Sequence, residues 1–218
     1  MRARPAGLIA LLALALFTSS ACGGGEERVL TTREYADAVI AARQQSDEEI
    51  EGLIAEFATE IEAIQARLEK GVGELEENLT EADSASDTFA ELGPLTEDFA
   101  EAVLDSLAAL IRSAAGVVEE HVAHLNRLEV PAHVSEHHES LASAFEAFHR
   151  RLEGLASDLG TIERQFATMD EFEAFAEEFT QLSNDWDLGL LDDKTDAACT
   201  DLEEALEGEL GTRVEICG

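Results

Sequence analysis

The sequence predicts an all-α protein: an antiparallel up-down bundle of about four long helices, completed by a short C-terminal helix tied down by a disulfide. Three observations carry this expectation. Apolar residues recur at steps of three and four through most of the 218 residues. No segment alternates apolar and polar residues as a half-buried strand does, and Val214-Glu215-Ile216 is the one strand-like scrap. Short polar or Pro-containing breaks separate the stripes, so each apolar face has a neighbour within reach to bury it.

The first helix opens at Thr31, where Thr31 and Glu34 have the spacing of a capping box and Leu30 with Tyr35 that of a hydrophobic staple. Its stripe runs through Val39, Ala42, Ile50, Ile54, Phe57, Ile61, Ile64, Leu68, Val72, Leu75 and Leu79. Gly71 and Gly73 lie inside it and predict a kink, since each weakens a helix interior by about 1 kcal/mol. Residues 80–94 are polar and end in the breaker Gly93-Pro94, so the second helix is expected to open at Leu95-Thr96 and end at Val130. Pro131 suits the first turn of a third helix, whose stripe extends from Val134 to Phe166. Thr168 to Glu171 offers caps for a fourth, lined by Phe172, Phe175, Phe179, Leu182, Trp186 and Leu190; this aromatic stripe reads as core packing. Lys194-Thr195-Asp196 restarts a last helix that ends at Gly211.

The N-terminus sets the expected compartment. Arg2 and Arg4 precede ten apolar residues, Leu8 to Phe17, and then the small residues Thr18 to Ala21 before Cys22. A charged start, a short apolar run and a small-residue site make a secretory signal peptide over 1–21. Ten apolar residues are too few to span a membrane, which takes about 20. Ser19-Ser20-Ala21 fits cleavage in ordinary secretion. Ser20-Ala21-Cys22, followed by three glycines, resembles the lipobox of bacterial lipoproteins, which implies acylation of Cys22 and a protein held on the outer face of the cell membrane. Residues 22–30 then read as a Gly/Glu tether, 31–192 as the helical bundle, and 193–218 as the C-terminal helix and tail.

Three cysteines are too few for a disulfide-built scaffold, but their arithmetic closes if Cys22 is lipidated and Cys199 pairs with Cys217. Cys199 to Gly211 is about 18 Å as helix, and the residues from Gly211 to Cys217 span about 20 Å extended, so the tail reaches back. An export signal places both thiols in an oxidising space. A helix carrying one cysteine and a returning tail carrying another resembles the C-termini of small helical lipoproteins from GC-rich bacteria, a resemblance that implies no particular activity.

The chain carries 48 acidic and 14 basic side chains, a formal charge of −34. Removing residues 1–21 takes away two arginines and no acid, leaving 12 basic against 48 acidic groups, or −36. A polyanion repels nucleic acid and anionic lipid surfaces, so neither is expected as a partner by charge. The expected membrane contact is through an N-terminal lipid alone, and a protein partner is not identified by sequence.

Chemistry has few places to hide. The chain has no Gly-x-Ser-x-Gly, His-Glu-x-x-His, P-loop or dinucleotide fingerprint. A di-iron bundle is rejected, because the only Glu-x-x-His pair, Glu146 and His149, points away from its apolar stripe. No catalytic residue and no cofactor is expected, and the protein reads as a binding or structural module rather than an enzyme. The one anomaly is that all six histidines fall between residues 121 and 149. His121 and His124 share a face of the second helix, and His133 and His137, with His138 beside them, are placed on the third. His121, His124, His137 and His138 are therefore the candidate ligands for Zn²⁺ or Cu²⁺, against the plainer reading of packed, hydrogen-bonded imidazoles or a pH-responsive packing element.

Overall fold

A computed structural model describes the backbone of residues 30–78, 85–162, 171, 173–175, 177 and 188–216, and their side chains apart from 75–78, 85–92 and 188–192. Among these residues every regular element is helical, and the four with defined bounds are α1 (Thr32–Asn78), α2 (Ala85–Leu125), α3 (Ser135–Leu159) and α4 (Leu188–Leu210). The signal segment, Cys22, Cys217, Phe172, Phe179 and Trp186 lie outside the described residues. None of the described helices is long and apolar enough to cross a membrane.

α1 begins as its sequence requires. Glu34 N–H donates to Thr31 Oγ1 at 3.2 Å and Thr31 N–H donates to Glu34 Oε2 at 3.0 Å, so each residue satisfies an amide of the other that the helix leaves open. The helix then runs 47 residues, about 70 Å, through Gly71 and Gly73 without a break in its assignment. Gly71 serves a close approach instead: a Cβ there would stand 2.7 Å from Cδ2 of Leu95 on α2, whereas one at Gly73 meets nothing within 4 Å.

α2 corrects the expected boundary. It starts at Ala85, ten residues before the expected opening at Leu95, and carries Pro94 in its interior. Proline removes one amide donor and crowds the carbonyl a turn earlier. Here Leu95, next to the proline, seats against Gly71 of α1, so tertiary packing carries the helix across the breaker, while the Thr96 hydroxyl donates locally to the Gly93 carbonyl at 2.8 Å. The turn after α2 also differs from the expectation. Pro131 lies in the connection rather than in the first turn of α3; the Pro131 carbonyl accepts from Val134 N–H at 3.0 Å, and α3 starts only at Ser135. His133 is therefore a turn residue.

α3 ends at Leu159, short of the expected Phe166, with Gly160 as its C-cap. α4 starts at Leu188, before the expected Lys194, and buries Thr195 within its length. It stops at Gly211, whose φ of 62° is the left-handed turn that a side chain resists, and Gly211 N–H reaches back to the Glu207 carbonyl at 2.9 Å. Beyond it the tail folds back along α4. Val214 N–H donates to Glu207 Oε1 at 3.0 Å, Ile216 N–H donates to Glu203 Oε1 at 2.6 Å, and both apolar side chains are buried.

α1 packs on α2, α2 on α3 and α3 on α4, with a smaller contact of α1 with α4. The core gathers Tyr35, Val39, Leu104, Leu125, Val134, Leu141, Phe145, Leu155, Leu159, Leu202 and Leu206, which are almost fully removed from water. At 25 residues, about 37 Å, α3 is much shorter than α1 and α2, so the far halves of those two helices pair with one another at Ile64, Leu95 and the Ser106–Glu60 hydrogen bond.

Candidate functional site

Apart from Ser106 and Thr195, the buried polar residues gather where α1 meets the α2–α3 connection. His121 follows the apolar stripe of α2 and is 4% exposed; His138 begins the buried face of α3 and is 6% exposed. Each finds a hydroxyl on α1. His121 Nδ1 stands 3.0 Å from Ser46 Oγ, and His138 Nδ1 stands 2.8 Å from the Tyr35 hydroxyl. A third, exposed pair joins Thr32 Oγ1 and His133 Nε2 at 3.3 Å. Three histidines of the α2–α3 hairpin thus bond three hydroxyls along the first half of α1.

The protons can be placed. Ser46 donates its hydroxyl to the Ala42 carbonyl at 3.1 Å, one turn back along α1, so its Oγ accepts from His121 Nδ1–H. Tyr35 is fully buried and His138 is its hydrogen-bond partner, so the phenol donates to a bare His138 Nδ1. Both rings are neutral in this arrangement. Burial lowers the His121 pKa to about 4; the Ala42 carbonyl opposes it, and smaller effects of Arg43 and His124 add to the lowering. Burial also lowers the His138 pKa, opposed by the Glu139 carboxylate, and it raises that of Tyr35.

The His121 ring sits edge-on to Phe145 of α3 at 4.5 Å between centroids, and the Arg43 guanidinium lies over the same Phe145 ring at 5.5 Å while pairing with Asp47 at 3.2 Å. Beside this stack a cleft of about 280 Å³ opens between α1 and α2, with Gln45, Ser46, Glu49, Glu120, His121, His124 and Arg127 on its walls. It continues as a more open groove past Glu48, Gly52 and Glu56 on α1 and Ser113 and Gly116 on α2. The cleft walls are mixed, with Glu49 and Glu120 beside His121, His124 and Arg127, and the groove beyond adds Glu48 and Glu56.

The candidate ligands are thus distributed rather than gathered. His121 and His124 share the cleft, His138 is committed to Tyr35, and His137 is half-buried one residue before it. His149 lies 3.9 Å from Glu153, a turn along α3. Among the described residues no three His, Cys, Asp or Glu side chains form a group able to hold a metal ion. Nor does the Ser46–His121 pair have the geometry of an activated nucleophile, because the serine proton goes to a backbone carbonyl and the imidazole is a donor to the hydroxyl.

Sequence reasoning identified the imidazoles and missed the hydroxyls. One signal was there: Ser46 falls four residues after Ala42 and four before Ile50, a polar residue on an apolar stripe. Tyr35 was read only as a staple partner. Cys199 is 1% exposed on α4.

No protein-family model matches the chain, no curated protein matches it, and no solved structure matches it.

Proposed function

We propose that this chain is an exported helical-bundle protein, lipid-anchored through Cys22 on the outer face of the cell membrane, with a non-catalytic binding or structural role. The observation that carries the reading is the N-terminal segment, Arg2 to Cys22, with the chain entering α1 ten residues after that cysteine. A lipid on Cys22 leaves only the Gly- and Glu-rich stretch between bilayer and bundle. The commitment of His121, His138, Ser46 and Tyr35 to one another across helices supports a structural use of these polar residues.

The same reading includes the Cys199–Cys217 disulfide and an up-down order of the helices. The tail bonds support the disulfide. Glu207 and Glu203, one turn apart, take the amides of residues 214 and 216, and Cys199 stands one turn further back on α4. The short connection between α2 and α3 supports antiparallel neighbours.

Mass spectrometry of the N-terminal peptide from native membranes tests the anchor. The expected result is an acylated Cys22 as the first residue, with a Cys22→Ser variant leaving the membrane fraction; an unmodified Cys22 or an intact Met1 overturns it. Calorimetric titration with Zn²⁺ and Cu²⁺ is expected to show no binding heat, and heat that disappears in His121→Ala/His124→Ala would assign the histidines to a metal instead.

A further inference from the structure

The geometry points to an acid-sensitive latch: Ser46–His121 and Tyr35–His138 hold the first half of α1 on the α2–α3 hairpin while both imidazoles are neutral, and protonating the rings releases it. This goes beyond the proposed role, because it concerns regulation of the bundle, and it holds whether or not Cys22 carries a lipid.

The placement is the first argument. Tyr35 and Ser46 are three turns apart on α1, and their partners come from α3 and α2, so the two bonds fasten one helix to both members of the hairpin. The far half of α1 is held differently, by Ile64, by the Leu95–Gly71 contact and by Glu60, none of which involves an imidazole.

What protonation does at each ring is the second. An imidazolium carries N–H at both ring positions. At His138 the new proton lands on Nδ1, which turns from acceptor to donor toward the Tyr35 oxygen, and the buried phenol O–H loses its acceptor. At His121 the Nδ1–H bond to Ser46 survives, but a positive charge appears beside the guanidinium that lies over Phe145.

The surrounding charges do not offer a buried counterion. His121 is faced from α1 by Arg43, itself paired with Asp47, and by Glu49 across the cleft; from its own helix by Glu120 and His124; from the turn after it by Arg127; and from α3 by the uncharged Phe145. His138 is faced from α1 by Tyr35 and from α3 by Glu139, while His133 in the turn before α3 is exposed and bonds Thr32. The residues α4 contributes to the core, Ala198, Cys199, Leu202 and Leu206, carry no charge. Glu49, Glu120 and Glu139 are all exposed, so they stay hydrated and compensate a buried imidazolium weakly.

Hydrogen exchange of the purified protein, followed by mass spectrometry at about pH 7.5 and about pH 4.5 and corrected for intrinsic rates, tests the latch. The expected result is that amides of residues 36–50 lose protection by roughly tenfold or more at the lower pH while those of the core half of α2 and of α3 keep theirs. A His121→Gln/His138→Gln variant is expected to show no such pH dependence. Unchanged protection of α1, equal loss in all helices, or the same loss in the double variant overturns the proposal. If that variant does not fold, ring NMR of the unaltered protein decides. Rings that stay neutral well below the ordinary histidine range, with α1 amide shifts tracking their titration, support the latch; rings titrating in the ordinary range overturn it.

Discussion

The hydroxyl of Tyr35 and Nδ1 of His138 stand 2.8 Å apart in the core, joining residues 103 positions apart in the chain. The contact binds the first turn of α1 to the first turn of α3, and it is the shortest of the histidine–hydroxyl bonds that fasten these helices.

Tyr35→Phe should therefore destabilise by more than the loss of an exposed hydroxyl. It leaves a buried acceptor on His138 unsatisfied, an effect of about 1–3 kcal/mol. Urea unfolding at neutral pH measures it, and a change within about 0.5 kcal/mol, the range of a surface substitution, would show that the bond contributes little.

The two buried imidazoles make stability fall with acid. A histidine whose folded pKa lies below its unfolded value binds fewer protons folded than unfolded, so its contribution is complete above the unfolded pKa of about 6.5 and is lost as pH drops from there. For His121, with a folded pKa of about 4, the loss spans the window down to that value and reaches about 3 kcal/mol. Denaturant midpoints across this window should fall for the unaltered protein and stay flatter for His121→Gln. Parallel curves would refute the assignment.

Two glycines of α1 separate propensity from packing. Gly73→Ala meets open space and should stabilise by about 0.5–1 kcal/mol through helix propensity. Gly71→Ala should gain less, because its methyl displaces a Leu95 side chain that starts 2.7 Å away. Equal gains in thermal unfolding would mean that Leu95 moves aside without cost.

The returning tail should be worth several contacts at once. Glu203→Ala leaves the Ile216 amide without its acceptor, and a loss of about 1–3 kcal/mol is expected, with Glu203→Gln restoring most of it. Peptide mapping should find Cys199 linked to Cys217, and reduction should lower stability by roughly 3 kcal/mol; two free thiols in the native protein would remove this staple.

Core truncations should divide along burial. Leu155→Ala, at 1% exposure, should cost about 2–5 kcal/mol, while Ile54→Ala, at 54% exposure, should stay within about 0.5 kcal/mol. Comparable losses at both positions would mean that Ile54 is covered in the native protein.

What the sequence determined by itself is local or periodic. The apolar steps of three and four announced helices, because a helix buries one face whatever its neighbour is. The Thr31–Glu34 box and the stop at Gly211 were legible because both are satisfied within a few residues. The fold-back of the tail was legible as a matter of reach. Tertiary structure decided the rest. Pro94 breaks an isolated helix but not α2, since Gly71 and Leu95 meet closely across the helix pair. The histidine cluster pointed to a place but not to a use: His121 and His138 are spent on Ser46 and Tyr35, residues 75 and 103 positions away, and no local pattern records which hydroxyl a distant helix will bring to an imidazole. Periodicity says which face is buried; only the docking of α1 says what that face meets.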